Sequence, residues 1–181
     1  MRVGIMKYLV ISDIHGSQES AEIAIEKFKK LNCDKIIILG DILYHGPRND
    51  LPSHYNPKEV IKILNAYADK IIAVRGNCDA DVDQMVLKFK LSRNVSLLVA
   101  NIKYFLTHGH LINAQNPKIF DEETIVIHGH THINKKNIVN GDIYYNLGSI
   151  TMPKENSARS YGILNDEGFF VYDLDDNLIK L

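Results

Sequence analysis

The stretch KYLVISDIHG, residues 7–16, is a short apolar run that ends in a polar turn. Its apolar part, residues 7–12, predicts a buried β-strand because apolar side chains follow one another without alternation. Residues 18–31 then carry apolar side chains at helical spacing, with Ser17 as the N-cap. Residues 35–40, KIIILG, predict a second buried strand. Two buried strands joined by a helix indicate the start of a parallel sheet.

A second predicted helix and a third predicted strand follow, and the rest of the sequence has mostly strand patterns. Asn56, Pro57 and Glu59 match an N-cap, a first-turn proline and an N3 glutamate, and predict a helix through about Ala68. Residues 70–76 predict a third buried strand. The second half carries mostly strand patterns, at residues 95–100, 102–107, 124–128, 143–147, 160–164 and 168–174. We therefore expect an α/β fold, a two-sheet β-sandwich flanked by helices, in which the second half forms the second layer.

Size and charge limit the possible functions. The chain has 181 residues, 45% of them hydrophobic, which is consistent with a single domain over residues 1–181. Its 21 basic and 22 acidic residues do not favour nucleic acid or membrane surfaces as partners. No apolar run approaches the roughly 18 residues of a membrane span. The N-terminus lacks a signal-peptide pattern, so we expect a cytoplasmic protein, with Met1–Ile5 as an extension or an alternative start ahead of Met6.

Polar side chains directly follow five of the predicted strands. In chain order they are Asp13, His15, Asp41, Asn77, His108, His110, His130 and His132. The carboxyl ends of strands line the ligand crevice of an α/β sheet, so we expect these side chains to meet at one rim. Each is close to a glycine, which permits a sharp turn.

Other metal and phosphate motifs are absent from the sequence. The stretch from Asp79 begins like a calcium-binding EF-hand loop, but its sixth residue is Gln84 and its twelfth is Lys90. We interpret Asp79, Asp81 and Asp83 as charges at a helix N-terminus. There is no P-loop motif, and the residues after Cys78 are too acidic for a cysteine-dependent phosphatase.

The segments DIHG, GD, GNCD, THGH and GHTH, in that order, resemble the calcineurin-like metallophosphoesterase superfamily. ILGDILYHGPRN and AVRGNCDADVDQM are similar to its small bacterial phosphodiesterases of the YfcE type. The resemblance extends from about Tyr8 to about Tyr161 and implies an αββα sandwich with two divalent metal ions. It assigns Asp13, His15 and His132 to one ion, Asn77, His108 and His130 to the other, and Asp41 to a bridge between them.

The donor types agree with this assignment. Carboxylate, imidazole and amide groups suit Mn²⁺, Fe²⁺ or Zn²⁺, and seven ligands are too many for one tetrahedral zinc. We expect Mn²⁺ first, with Zn²⁺, Fe²⁺ and Ni²⁺ as alternatives. His128 has the same parity as His130 and His132. We expect the chain to turn at Gly129, so that His128 stays in the sheet in a structural or supporting role.

The resemblance implies hydrolysis of a small phosphodiester by a hydroxide that the two metals activate. A phosphomonoesterase with the same mechanism is one alternative. Another is a non-catalytic interaction protein, as in the retromer subunit that shares this fold. Dimers or tetramers of the chain are expected by resemblance alone.

The candidate catalytic residues are Asp41, Asn77, Arg75, Cys78 and His110. Arg75 and Arg48 are expected to bind the phosphate, although Arg48 is equally well interpreted as a solvated loop residue. Cys78 occupies the position of a histidine that protonates the leaving group in many members. His110 could replace that acid, or the enzyme could favour diesters with good leaving groups. Residues 44–55 and 111–123 are expected to shape the substrate entrance.

Overall fold

The computed structural model describes residues 6–181, so the prediction for Met1–Ile5 lies outside the described residues. Its strands are β1 (Tyr8–Ile11), β2 (Lys35–Ile38), β3 (Ile71–Val74), β4 (Leu91–Ser92), β5 (Val95–Val99), β6 (Ile102–Leu106), β7 (Thr124–His128), β8 (Asn134–Val139), β9 (Asp142–Leu147), β10 (Ser160–Asn165) and β11 (Gly168–Asp173). The α-helices are α1 (Gln18–Lys30), α2 (Pro57–Asn65) and α3 (Asp83–Val86), and Ala68–Lys70 form a 3₁₀ turn. Within residues 6–181, none of the helices has the length and apolar character needed to cross a membrane.

The strands form two mixed sheets. The first has the order β11-β10-β1-β2-β3-β4, in which β1 to β4 are parallel and β10 and β11 are antiparallel to their neighbours. The second has the order β5-β6-β7-β9-β8, with β6, β7 and β9 parallel and an antiparallel strand at each edge. The predicted two-sheet α/β sandwich is confirmed.

Alternation along the strands distributes side chains between the layers. Val10 and Ile37 of the first sheet pack with Leu106 and Ile127 of the second, and all four are fully buried. On the other face of the first sheet, Leu9, Ile11, Ile36 and Ile38 pack against apolar residues of α1 and α2. The outer face of the second sheet is covered by Ile112, Ala114 and Phe120, which lie in the loop between β6 and β7.

Both predicted helix caps are present. The Ser17 hydroxyl accepts a hydrogen bond from the Ser20 N–H at 3.3 Å, and the Asn56 side chain accepts one from Glu59 at 3.3 Å. The helix α2 ends at Asn65, before the predicted end at Ala68, because the chain tightens into the 3₁₀ turn that leads into β3.

The assignment of the whole second half to one layer is wrong. Strand β10 pairs with β1, with Leu9 opposite Ile163, and β11 extends that sheet further. The strand pattern of residues 160–174 indicates extended backbone, but it does not show which strand each segment pairs with. Because β2 pairs with only one edge of β1, the other edge is open to β10. Strands β4 and β8 were not predicted. The first has only two residues, and the second is a polar edge strand with Lys135 and Lys136 exposed.

A buried carboxylate connects the loops that follow β2 and β3. Asp79 is 3% exposed and accepts hydrogen bonds from the N–H groups of Asp41 at 2.9 Å, Ile42 at 2.8 Å and Gly76 at 2.7 Å. Burial raises the pKa of Asp79, and the N–H donors offset this only in part. The interpretation of Asp79 as a charge at a helix N-terminus is therefore wrong. Of the three aspartates, Asp83 fits that interpretation, because it lies in the first turn of α3.

Replacement of Asp79 by alanine is expected to lower the free energy of unfolding by about 3 kcal/mol or more, since each buried N–H left without an acceptor costs about 1–3 kcal/mol. Urea unfolding followed by circular dichroism measures this change. The matched control is Asp81→Ala, because Asp81 is exposed and only pairs with Arg75 at 2.7 Å. Its expected effect is below about 1 kcal/mol. Equal losses in the two variants would contradict a structural role for Asp79.

Candidate metal centre and adjoining cleft

The predicted ligands lie on loops that follow β1, β2, β3, β6 and β7. Backbone hydrogen bonds join these loops in pairs: Asp13 N–H donates to the Gly40 carbonyl at 3.1 Å, and Gly129 N–H donates to the His108 carbonyl at 2.9 Å. Because both sheets direct the carboxyl ends of these parallel strands to one rim, residues from five distant segments meet there.

Five of the ligand positions have left-handed backbone conformations, with positive φ between 50° and 75°; they are Asp13, His15, Asp41, His130 and His132. Such conformations cost of order 1 kcal/mol each outside glycine and are concentrated at functional sites. The expectation that neighbouring glycines supply the turns is thus only partly right. Gly76 and Gly129 have no positive φ, and they are required for space. A Cβ there would collide with the side chains of Asp41 and Ser12, respectively.

Asp13, His15 and His132 form the first cluster. All three are buried, and Asp13 Oδ1 lies 3.5 Å from His15 Nε2 and 3.3 Å from His132 Nε2. The two Nε2 atoms are 3.2 Å apart. Asp13 Oδ2 accepts hydrogen bonds from Ser12 and from the His130 N–H, whereas buried Oδ1 has no hydrogen-bond partner among the described residues. A buried carboxylate oxygen facing two imidazole nitrogens fits a divalent cation.

Asp41, His108 and His130 form the second cluster, and Asn77 adjoins it. His108 Nε2 lies 3.3 Å from Asp41 Oδ2 and 3.1 Å from Asn77 Oδ1. His130 Nδ1 is buried without a hydrogen-bond partner in the described part of the chain. Asp41 Oδ2 is also 3.7 Å from His15 Nε2. The Asp41 carboxylate therefore lies between the histidines of the two clusters, where a bridging ligand is expected.

Backbone carbonyls orient three of the imidazoles. The Nδ1 atoms of His15, His108 and His132 lie 2.8, 2.7 and 2.7 Å from the carbonyl oxygens of Tyr44, Leu39 and Met152. A ring nitrogen that faces a carbonyl carries hydrogen, so in the neutral imidazole Nε2 keeps its lone pair. This arrangement is typical of metal-binding histidines.

The clusters also have strongly shifted pKa values. Burial alone would lower the pKa of His108, but Asp41 and Asp13 raise it to about 9. Conversely, burial would raise the pKa of Asp13, but the imidazoles of His132 and His15 that face its carboxylate hold it well below its usual range. Without metal, a protonated His108 thus offsets the negative charge of the Asp13 and Asp41 carboxylates. Because a cation would take the place of this proton, metal binding should release protons.

His128 is the last residue of β7 and is buried, with Nδ1 3.0 Å from the Gly129 carbonyl oxygen. Burial lowers its pKa to about 4. It belongs to neither cluster. The predicted turn at Gly129 is confirmed. His130 and His132 therefore reach the site from a loop, not through the alternation of a strand.

Cys78 and His110 border the clusters on different sides. The Cys78 thiol lies near His15 and Asp41, and its backbone N–H donates to Asp41 Oδ1 at 2.8 Å. Burial and the charge of Asp41 raise the pKa of Cys78 to about 12, so the thiol is protonated. The His110 ring lies 5.4 Å from that of His108, and burial lowers the pKa of His110.

The predicted phosphate-binding arginines are placed differently. Arg48 lines the cleft over the clusters, together with Asn49 and Lys154. Arg75 donates from Nε to the Asp79 carbonyl at 3.0 Å and pairs with Asp81, and it lines a neighbouring cavity instead. Its role as a phosphate ligand stays a prediction.

Lys154 was missed by the sequence analysis. Its backbone N–H donates to the His132 carbonyl at 3.0 Å, and its Nζ donates to Asn49 at 3.1 Å. No motif surrounds it, and only the fold brings this lysine to the cleft. Residues 46–49 border the cleft and residues 111–112 border the neighbouring cavity; the role of residues 44–55 and 111–123 as a substrate entrance stays a prediction.

Comparisons with known proteins agree with this arrangement. A family model described as the calcineurin-like phosphoesterase superfamily domain matches residues 6–168. Phosphodiesterase YfcE of Escherichia coli strain K12 is 40% identical over 175 residues, which are 96% of this chain and 95% of that protein. The probable metallophosphoesterase YsnB of Bacillus subtilis strain 168 is 30% identical over 169 residues, 90% of this chain and 85% of that protein.

A solved structure of YfcE, a phosphoesterase from E. coli, matches with a TM-score of 0.91 at 40% identity and covers 97% of each chain. Sequence and fold thus agree over almost the full length of both molecules. Because the family model also spans most of the described residues, the chain belongs to the calcineurin-like phosphoesterase superfamily, as its motifs predicted.

Proposed function

We propose that this protein is a metal-dependent phosphodiesterase that hydrolyses a small phosphodiester at a site for two divalent cations. The main supporting observation is the position of Asp41 between two histidine clusters, each with a buried atom that has no hydrogen-bond partner in residues 6–181. The 40% identity to a relative named as a phosphodiesterase favours diesters over monoesters. Mn²⁺ is our first candidate for the cation.

Asp13, His15 and His132 would hold one cation, and Asn77, His108 and His130 the other, with Asp41 shared. When bound, such cations lower the pKa of a water molecule and offset the negative charge of a phosphate. Arg48 and Lys154 face the same cleft and would bind the phosphate oxygens that are not esterified.

The groups around the leaving oxygen are poor acids near neutral pH. The pKa of Cys78 is raised to about 12, and that of His110 is lowered below its usual value. Neutral His110 can donate a hydrogen bond, but it is not a strong proton donor. This supports the expectation of diesters with good leaving groups. The expected cytoplasmic location and dimer or tetramer also stay predictions.

Metal dependence is tested with bis(4-nitrophenyl) phosphate and 4-nitrophenyl phosphate, using metal-stripped protein to which Mn²⁺, Zn²⁺, Ni²⁺ or Mg²⁺ is returned. We expect Mn²⁺ to restore hydrolysis of the diester more than that of the monoester. Asp41→Asn should lower diester turnover by at least about 100-fold, since even supporting residues of metal sites are worth about 10–100-fold.

The matched control is Asp50→Asn, the same change on an exposed residue of the loop at 44–55, which should retain wild-type turnover. Absence of turnover with every metal, in protein that remains folded, would contradict the proposal and favour the non-catalytic interaction protein. Preference for the monoester would replace the phosphodiesterase by the phosphomonoesterase of the same mechanism.

Metal content distinguishes the three alternating histidines. His130→Gln and His132→Gln should each lose bound metal, because each removes a nitrogen that faces a cluster. His128→Gln should retain it, because His128 Nδ1 contacts the Gly129 carbonyl and the residue belongs to neither cluster. Elemental analysis of dialysed protein measures the difference. Equal losses in all three variants would refute this division of roles.

The role of His110 is tested by varying the leaving group. We compare 4-nitrophenol with phenol in otherwise identical methyl aryl phosphates. If His110 assists departure, His110→Gln should slow the phenyl ester at least about 10-fold more than the nitrophenyl ester, because general acids contribute about 10²–10⁴-fold where they are needed. Cys78→Ala should leave that ratio unchanged, since its thiol is too weak an acid. A ratio unchanged by His110→Gln would remove His110 from the catalytic residues.

A further inference from the structure

A cavity of about 400 Å³ lies beside the metal centre, on the side of His110. Gly76 and Thr107 line it, and each directly precedes a candidate ligand, Asn77 or His108. The cavity therefore begins one residue away from the second cluster. It is distinct from the small cleft over the clusters, which is lined by Arg48 and Lys154.

A second cavity, of about 390 Å³, continues from the first. The two share Arg93, Asn94 and Ile112 as lining residues, so they form one continuous depression. We call it the side groove, and define it by Arg75, Arg93, His110, Ile112, Lys118 and Phe120. It runs from His110 along the outer face of the second sheet, where the loop between β6 and β7 forms its wall.

The end of the side groove next to His110 carries positive charge. Arg75 and Arg93 line it, and none of the described residues around this first cavity is a carboxylate. Arg75 is already engaged by the Asp79 carbonyl and by Asp81. Arg93 is exposed and has neither an ion-pair nor a side-chain hydrogen-bond partner within residues 6–181. Arg93 is therefore the cation in this part of the groove that is available to a ligand.

Apolar side chains form part of the wall, and the second cavity also has a carboxylate, Asp121, at its lining. Leu91, Leu111 and Ile112 line the first cavity, and Leu111 is 46% exposed. In the second cavity the Lys118 ammonium lies 5.2 Å from the centre of the Phe120 ring. A pocket of this size, with apolar side chains in its wall and one free guanidinium at the end next to His110, is suited to a ring-sized group that carries an anion.

Resting on the proposed function, we infer that the side groove binds one ester arm of the phosphodiester substrate, and that this arm carries a ring-like apolar body and a second anionic group that pairs with Arg93. The proposal defines a substrate class: phosphodiesters in which one arm carries both a ring and a second anionic group. The phosphate itself would occupy the cleft, and this arm would extend past His110 into the groove.

Two diesters with the same leaving group test this inference, 4-nitrophenyl phenyl phosphate and 4-nitrophenyl 4-carboxyphenyl phosphate. Release of 4-nitrophenolate by the metal-loaded protein gives kcat/KM for each. We expect the carboxylated diester to be favoured about 5-fold, mainly through a lower KM, which is the range of an exposed ion pair. Arg93→Gln should reduce the preference to about 1-fold.

The matched control is Lys90→Gln, which removes the same charge from a nearby exposed residue that does not line the groove. It should keep the wild-type preference. Absence of a preference in the wild-type protein, or a preference that survives Arg93→Gln, would overturn the inference.

Failure of the proposed function can be told apart from failure of this inference. If neither diester is hydrolysed, the proposed function fails, and the groove is tested by calorimetric titration of the same protein with phenyl phosphate and 4-carboxyphenyl phosphate. Tighter binding of the carboxylated probe to wild-type protein, but not to Arg93→Gln, would support the groove. Equal binding of both probes to the wild-type protein would overturn it.

Discussion

Three backbone N–H groups converge on the buried carboxylate of Asp79, and the geometry of the candidate metal centre depends on this contact. It joins the loop after β2 to the loop after β3 and thereby fixes the position of Asp41. Gly76 completes the arrangement, because a side chain there would collide with the Asp41 carboxylate. Asp41 can lie between the two histidine clusters only while these two loops remain in contact. The buried Asp79 carboxylate, which accepts these three hydrogen bonds, thus positions the Asp41 carboxylate between the histidines of the two clusters.

The backbone conformations and ring orientations of the other ligands also depend on contacts with neighbouring loops. Left-handed backbone at Asp13, His15 and His132 is unfavourable by itself, and persists because the neighbouring loops leave no alternative. The carbonyl groups of Tyr44, Leu39 and Met152 hold the imidazole rings in place. Each carbonyl lies in a different loop from the histidine that it contacts. Such preorganisation means that the ligand atoms need little rearrangement on metal binding. The packing of the two sheets therefore offsets the free-energy cost of the left-handed conformations at this rim.

Local sequence patterns were sufficient to predict many of the strands and helices and most of the candidate ligands. Continuous apolar runs predicted β1 to β3, and capping residues predicted α1 and α2, because these signals act within a few residues. Glycine-flanked Asp, His and Asn side chains identified the loops that meet at the rim. The pairing of β10 with β1, the acceptor role of Asp79, and the arrival of Lys154 at the cleft could not be predicted in this way. Each depends on contacts between residues far apart in the chain, which no local pattern records.

The charge of the donor set argues for an anionic ligand. The seven candidate ligands include only two carboxylates, Asp13 and Asp41, and the rest are imidazoles and the neutral amide of Asn77. Two divalent cations would exceed the charge of these carboxylates by four against two, and the hydroxide expected in the reaction would reduce the excess to one positive charge. Arg48 and Lys154 add to this excess over the cleft, and Arg93 extends it along the side groove. A phosphodiester carries one negative charge and would balance this excess, so a second anionic group on one arm would pair with Arg93 and not with the cations. The charge of Arg93 and the shape of the groove thus favour the same class of substrate.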